Sequence, residues 1–399
     1  MKTVLCLASL IAGSEFMREL HRLGHKVYLL TKEKSLNEDW PRECIEEVLA
    51  LPNETEMALY VTAACHIAAS QKIDLVVALH EFDVLAAAMI REHMHLPGMG
   101  LSQVRLFRDK LSMRIAAKNA GLSVPSFSPV INRDEIKHFL SSTTPPWMLK
   151  PRQSAGGIGI KKLTSEEALW QRLGELEQRQ YLHERPSYHL LETYIEGEVY
   201  HVDTLLRRGR IRFVSASKYR RPPFEIYAGG GIYSSHTLLH GSEEEKELLE
   251  MNSRLLKAFG LKQGPAHAEF IRDRDGKLYF LEVAARIGGA HIAETIEAAY
   301  GVNPWIEWAR IEIDADTKLK KLRNHHAGVI ISLARYEWPD TSSFTDSEIY
   351  YRVKKKNHIG FVVSSPSYDR VIELLEDYEK RIREDYNAVA PPLERPEEL

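Results

Sequence analysis

The spacing of apolar residues changes period several times along the chain, and each change marks an element. Residues 4–8, 26–30 and 74–79 are short apolar runs, whereas 15–23 and 55–70 carry apolar residues at helical spacing. Alternation of this kind over the first hundred residues predicts a parallel sheet covered by helices. Ligands in such sheets sit beyond the carboxyl ends of strands, which points to Gly13-Ser14-Glu15 and to His80-Glu81-Phe82-Asp83. Each segment reads equally well as a polar loop end, and no GxGxxG follows the first strand.

Further on, RDKLSMRIAAKNAGLSVPSF predicts a helix capped by Asp109 and ended at Gly121. PWMLKPRQSAGGIGIKKL predicts a strand, a glycine-rich loop and a second strand, and capping boxes at 164–167 and 242–245 open two helices. HLLETYIEGEVYHVDTLL and RIRFVSASKY read as strands about a turn at Arg208-Gly209, followed by a loop through residues 220–237. AHAEFIRDRDGKLYFLEVAARIGG is the clearest hairpin. Beyond residue 318 an α+β module runs to a polar, proline-containing tail.

Composition narrows the function classes. Lys+Arg 53 against Asp+Glu 56 leaves a net charge of -3, which argues against nucleic acid as the main partner. No apolar stretch reaches the roughly 20 residues that span a bilayer, and the N-terminal apolar run continues as strand, helix and strand rather than as a signal peptide. Cys6, Cys44 and Cys65 form neither a disulfide framework nor a CxxC pair. At 399 residues the reading is a cytoplasmic, multidomain protein with no membrane partner. The basic runs at 318–323 and 354–356, and the His93/His95 and His325-His326 pairs, read as solvated or structural.

The hairpin gives a specific geometric expectation. A two-residue type I′ turn at Asp275-Gly276 sets Phe270 against Leu281 and Ala268 against Val283 on the buried side. On the other face Glu269 then lies opposite Glu282, and His267 opposite Ala284. Opposed carboxylates about 5 Å apart at Cβ repel unless they share a proton, meet a cation or point into solvent. A hard divalent cation such as Mg²⁺ satisfies both, and the same face continues to Arg286 and Gly288-Gly289. Upstream, Lys150 ends a strand before Ser154, Gly156, Gly157 and Gly159, a loop whose backbone N–H groups would turn toward an anion. There is no GxxxxGK[ST] and no kinase HRD or DFG set.

Lys110, Lys150 with its glycine loop, residues 192–198, Lys218-Tyr219, Glu269 and residues 282–286 occur in an order and spacing that resemble the ATP-grasp superfamily. Within it the chain looks most like the L-amino-acid ligase and carnosine-synthase-like carboxylate–amine ligases. The resemblance implies an α/β and α+β multidomain fold. A Rossmann-like pre-ATP-grasp domain would span 1–105, a small lid subdomain 106–195, a large subdomain with the metal and phosphate site 196–318, and an α+β module 319–399. It implies ATP, two Mg²⁺ ions (or Mn²⁺), small-molecule acid and amine substrates, and a homodimer.

By similarity, Lys110 and Lys150 would contact ATP phosphates while the loop closes over them. Glu192, Thr193, Tyr194 and Ile195 would hold adenine, Glu192 at its amino group and the backbone near Thr193 and Ile195 at its edge. Glu198 would grip the ribose, Glu269 and Glu282 the metal, and Lys218 the γ-phosphate at the start of a lid over residues 220–235. Arg286 would hold the oxyanion of the tetrahedral intermediate. The family asparagine two residues after Glu282 is replaced by Ala284, so His267 either supplies a contact to phosphate there or merely bonds a neighbour. Glu15, Glu81, Tyr227, Tyr233, His236, Gly288, Gly289 and His291 are candidate substrate contacts. The activity implied is amide formation through an acyl-phosphate. The alternatives are a ligase for bicarbonate, a carrier thiol or a purine precursor, or a nucleotide-binding module without turnover.

Overall fold

Three sheets follow one another along the chain. The computed structural model describes residues 1–389 apart from 230, 316–318 and 320. The first sheet is parallel, with β1 (Thr3–Leu7), β2 (Lys26–Lys32), β3 (Glu47–Leu51) and β4 (Leu75–Ala78) in the order β3-β2-β1-β4. Helices Ser14–Arg22, Met57–Ala68 and Val84–His93 pack on it. The edge strand β3 was not legible in the sequence. Its five residues are mostly half-exposed and begin with the second member of an acidic pair, Glu46-Glu47, which masks the apolar run.

The second sheet is antiparallel, with β5 (Phe127–Pro129), β6 (Trp147–Pro151), β7 (Lys161–Leu163) and β8 (His189–Thr193) in the order β5-β8-β6-β7. Helices Arg133–Ser142 and Glu166–Glu177 bury their apolar stripes against it.

The third sheet has eight antiparallel strands. They are β9 (Gly197–Arg207), β10 (Arg210–Tyr219), β11 (Tyr233–Thr237), β12 (Gly264–Asp273), β13 (Leu278–Ala284), β14 (His326–Leu333), β15 (Ile349–Arg352) and β16 (His358–Ser365), in the order β13-β12-β9-β10-β11-β14-β16-β15. One face is covered by helices Glu243–Ala258 and Tyr368–Asp385. The other meets Ile292–Tyr300 and Pro304–Glu312, which also pack on the first sheet, where the rings of Phe16 and Trp308 lie 4.9 Å apart. No helix among the described residues is long and apolar enough to cross a membrane.

Segment 220–237, expected as a loop with a lid, contains helix Pro223–Gly229 and β11. In β11 the residues Ser234, Ser235 and His236 are polar yet buried, so an apolar pattern could not reveal a strand that lies mid-sheet. It pairs with β10 on one side and β14 on the other, so the C-terminal strands extend the central sheet. Two helix caps follow the sequence, Asp109 accepting from the Leu111 amide and Ser242 from Glu245; at the 164–167 box the cap falls one residue later than Thr164, on Ser165, which accepts from Ala168.

The hairpin turn differs from the expected one. The Gly276 amide donates to Asp273 O and the Asp273 amide to Lys277 O, leaving a three-residue loop of Arg274, Asp275 and Gly276, with Gly276 at φ 84°. Phe270 therefore faces Phe280, not Leu281. A bulge between Glu269 and Phe270 then adds one residue to β13 and restores Ala268–Val283, Glu269–Glu282 and His267–Ala284. Two one-residue departures cancel where the carboxylates sit. Gly276→Ala should lower unfolding stability by about 1–2 kcal/mol, because an L side chain resists this φ; denaturant titration checks it.

Candidate active site

The carboxyl end of β4 leads into Glu81, whose buried carboxylate meets two guanidinium groups. Arg108 Nη1 donates to it at 3.1 Å, and Arg286 donates through Nε at 2.9 Å and lies 2.7 Å away through Nη2. Burial alone would raise this carboxyl, but Arg286 and Arg108 hold it at about 2. Arg108 also donates to the Gln153 carbonyl at 2.7 Å, at the root of the glycine loop. Glu81 thus joins the first sheet, the glycine loop and the end of β13. It is committed to fixing Arg286, whereas the sequence offered it as a substrate contact.

Lys110 begins helix Lys110–Asn119 and is buried. Its Nζ donates to the Ser154 carbonyl at 2.8 Å and lies 2.8 Å from Glu282 Oε2, so one ammonium bridges the glycine loop and the carboxylate hairpin. Ser154 Oγ donates to the Ile158 carbonyl, and Gly156, Gly157 and Gly159 all have positive φ. Lys150 Nζ lies 2.7 Å from Glu192 Oε2, and Arg114 pairs with Oε1 of the same fully buried carboxylate. Burial would raise Glu192, yet Arg114 and Lys150 lower it to about 2. Its carboxylate anchors Lys150 and is not free for an adenine amino group. The Thr193 and Tyr194 amides are also engaged, by Ser126 O at 2.9 Å and Pro146 O at 3.1 Å. Among the hinge residues Thr193, Tyr194 and Ile195, only the Ile195 amide lacks a partner among the described residues.

Glu269 Oε1 accepts from Tyr219 Oη at 2.7 Å and lies 3.6 Å from His267 Nε2. No described protein group partners Glu269 Oε2 or Glu282 Oε1. Each of these opposed carboxylates therefore keeps one hard oxygen uncommitted, a donor set that fits Mg²⁺. His267 is occupied with neighbours: its Nδ1 bonds Asp203 Oδ1 at 2.9 Å. Burial pulls this imidazole down, but Asp203 raises it to about 9.

Register separates the remaining candidates. Lys218 pairs with Tyr200 and His236, and Tyr200 with Phe270, all on the face opposite Glu269. There Lys218 Nζ lies 2.7 Å from Glu198 Oε1, and Tyr200 Oη donates to the same carboxylate at 2.9 Å. The structure thus removes Lys218 and Glu198 from the Lys110–Glu282 crevice; the side chain on the crevice face is the next residue, Tyr219. His236 shares the far face, with Nε2 3.2 Å from Tyr368 Oη, and burial followed by Arg220 and Lys218 lowers it to about 3. A cavity of about 560 Å³ lies there, bordered by Glu198, Lys218, His236 and Tyr368.

Of the other substrate candidates, Tyr233 is on the crevice face, its ring 5.8 Å from that of Tyr219. Gly288 is buried beside Asp203 and His267, and Gly289 is exposed. His291 at φ 60° lies 3.2 Å from Glu294 and packs on Tyr351. Glu15 is taken up by Arg18 on its own helix at 2.8 Å. The side chain of Tyr227 lies outside the described residues, as does Gly230.

Sequence reasoning missed Arg108, Arg114, His201 and Asp203. It also missed an apolar floor beside the hinge, where Val199, Tyr219 and Ile271 pack with Ile195, Tyr279 and Leu281. Arginines in a helix or a loop carry no periodic signal, and the floor draws on five separate segments. The tripeptide His201-Val202-Asp203, with both polar side chains on one strand face, was the one available cue.

An ATP-grasp domain model matches residues 143–294. An L-arginine-specific L-amino acid ligase of Bacillus subtilis is 28% identical over 277 residues, covering 69% of this chain and 66% of that protein. A D-alanine–D-alanine ligase of Neisseria gonorrhoeae is 23% identical over 188 residues, covering 47% and 60%. This chain therefore spans less than two thirds of each of these relatives. The crystal structure of an L-amino acid ligase from Bacillus licheniformis superposes with a TM-score of 0.76 at 18% identity, covering 98% of this chain and 99% of that one.

Glu81 and Glu192 are both depressed in the folded state, so their stabilisation is complete above about pH 4.5 and is lost as pH falls toward 2. Glu81→Gln should cost about 3 kcal/mol, because it strands buried arginines, and it should flatten this acid limb. Unfolding measured between pH 3 and 7 checks both outcomes.

Proposed function

Because this chain carries an ATP-grasp domain on an ATP-grasp fold, we propose that it is an ATP-dependent carboxylate–amine ligase acting on amino acids or amino-acid-like acids. One observation carries the reading: Lys110 lies 2.8 Å from both the glycine loop and Glu282, so a cation, an anion-binding loop and an opposed carboxylate pair converge. The names of the two ligase relatives support the choice of amine as acceptor.

A carboxylate resists attack because it is anionic and oxide is a poor leaving group. Moving the γ-phosphoryl of ATP onto the acid releases ADP and gives an acyl-phosphate. The amine nitrogen then bonds to the acyl carbon, the carbon–oxygen bond to phosphate breaks, and phosphate and a proton leave. Lys110, Lys150 and the loop at 154–159 hold the phosphates in this reading, and the floor of Ile195, Val199, Tyr279 and Leu281 takes the adenine. Mg²⁺ held by the free oxygens of Glu269 and Glu282 would screen phosphate charge. Arg286, clamped by Glu81, presents its fork to the developing oxyanion. Gly288, Gly289 and His291 border the acid pocket, where Ala290 and His291 both hold positive φ. The division that goes with this reading is 1–105 as the pre-ATP-grasp domain whose Glu81 clamps Arg286, 106–195 as the lid with the glycine loop, 196–318 for phosphate and metal, and 319–399 as sheet support.

ADP release measured with pooled amino acids, and mass spectrometry of the product, test this. Amine-dependent ADP and a dipeptide-like mass are expected; ADP formation indifferent to amine would overturn the reading. Glu282→Gln should lower kcat by about 100- to 1,000-fold with its fold retained, checked by circular dichroism alongside the assay.

A further inference from the structure

Behind Glu269 runs a buried chain of polar groups that the ligase reading leaves unused. Ser235 Oγ lies 2.7 Å from His201 Nε2, His201 Nδ1 lies 2.6 Å from Asp203 Oδ2, and Asp203 Oδ1 lies 2.9 Å from His267 Nδ1. His267 Nε2 then approaches Glu269 Oε1 at 3.6 Å. All four residues, Ser235, His201, Asp203 and His267, are at least nine-tenths buried, and they come from β9, its neighbour β12, and β11, which lies one strand beyond β10.

The order of donors along this chain is set by chemistry. Asp203 is an acceptor only, so both histidines present Nδ1–H to it, one to each oxygen. That orients the His267 ring with Nε2 toward Glu269. Tyr219 donates to the same oxygen, Oε1, at 2.7 Å. The Tyr219 hydroxyl and the His267 ring edge both lie against Oε1, so among the described residues Oε2 is the oxygen of Glu269 left without a protein partner. The strand end after Arg286 is fitted against the same groups: a Cβ on Gly288 would sit 2.9 Å from Asp203 Oδ1 and 3.0 Å from His267 Nδ1. No side chain larger than glycine's hydrogen fits there without moving the relay.

We propose that His201 and Asp203 are positioning residues which, acting through His267, make Glu269 a one-oxygen metal ligand aimed at the nucleotide phosphates. The inference rests on the ligase reading, since it needs Mg²⁺ between Glu269 and Glu282. Supporting partners of this kind orient a metal ligand and change affinity when removed. The relay also stands where Ala284 leaves no side-chain amide, so Glu269 relies on its own strand neighbours for orientation.

Asp203→Asn tests the inference, because the amide keeps the shape and replaces one acceptor with a donor. Mn²⁺ binding, followed by the electron paramagnetic resonance of the free ion with a non-hydrolysable ATP analogue present, should weaken about tenfold or more. Affinity for the analogue without metal should stay unchanged, as should the near-ultraviolet circular dichroism. His201→Asn gives the same measurement in a second background if Asp203→Asn does not fold. A folded variant that binds Mn²⁺ like the parent chain overturns the inference alone. A parent chain that binds no Mn²⁺ with the analogue overturns the ligase reading beneath it.

Discussion

Glu81 is the point on which the arrangement turns. It is one buried carboxylate with two guanidinium partners, and each partner belongs to a different part of the chain. Arg108 carries the contact on to the Gln153 carbonyl, and Arg286 carries it to the end of β13. Without the anion, two arginines would face each other in a water-poor interior, which is far more unfavourable than an exposed like-charge pair. The first sheet is therefore part of the crevice wall, and the orientation of Arg286 is inherited from a strand more than two hundred residues upstream.

Charge in the crevice is already balanced within the protein. Lys110 rests on Glu282, Lys150 on Glu192, Arg286 on Glu81, and His267 on Asp203. These pairs differ in what they leave open. Glu192 and Glu81 are enclosed by two cations each, so they act as anchors. Glu282 is one-third exposed and has one oxygen uncommitted; in the proposed ligase it would exchange Lys110 for another cation as phosphates take the lysine. In the proposed ligase, fixed anchors beside an exchangeable pair would let a nucleotide enter without leaving a buried charge bare.

How much of this was legible in the sequence depended on whether the signal was local. Caps at Asp109 and Ser242, the glycine-rich loop between two strands, and the strand–helix alternation of the first hundred residues rest on neighbours in sequence, and they were read correctly, while the cap at Ser165 was read one residue early. The opposition of Glu269 and Glu282 was also read, though through a turn of the wrong length rescued by the bulge. Lys218 shows the opposite failure: its position in the chain was read and its face was not, since the face depends on pairing with Tyr200 and His236. The strand β11 was hidden because its burial comes from flanking strands and not from its own apolar residues. Arg108 and Arg114 act only through tertiary contacts, so nothing periodic announced them, and of the histidine–aspartate relay only the alternation His201-Val202-Asp203 showed in the sequence.

The bulge at β13 also has a consequence for how this hairpin can vary. Side chains alternate faces along a strand, so the odd-membered tip and the extra residue form a parity pair: each alone would swing Glu282 to the far side of the sheet, and together they return it. The Leu281 carbonyl freed from the ladder is taken up by Arg114, which ties the second half of the pair to a buried cation. A single-residue insertion or deletion at the tip is consequently not a neutral surface event, even though the tip is exposed and lies several residues from the crevice. Length changes there are admissible only in compensating pairs, and drift in that exposed loop is coupled to the placement of Glu282 in the crevice.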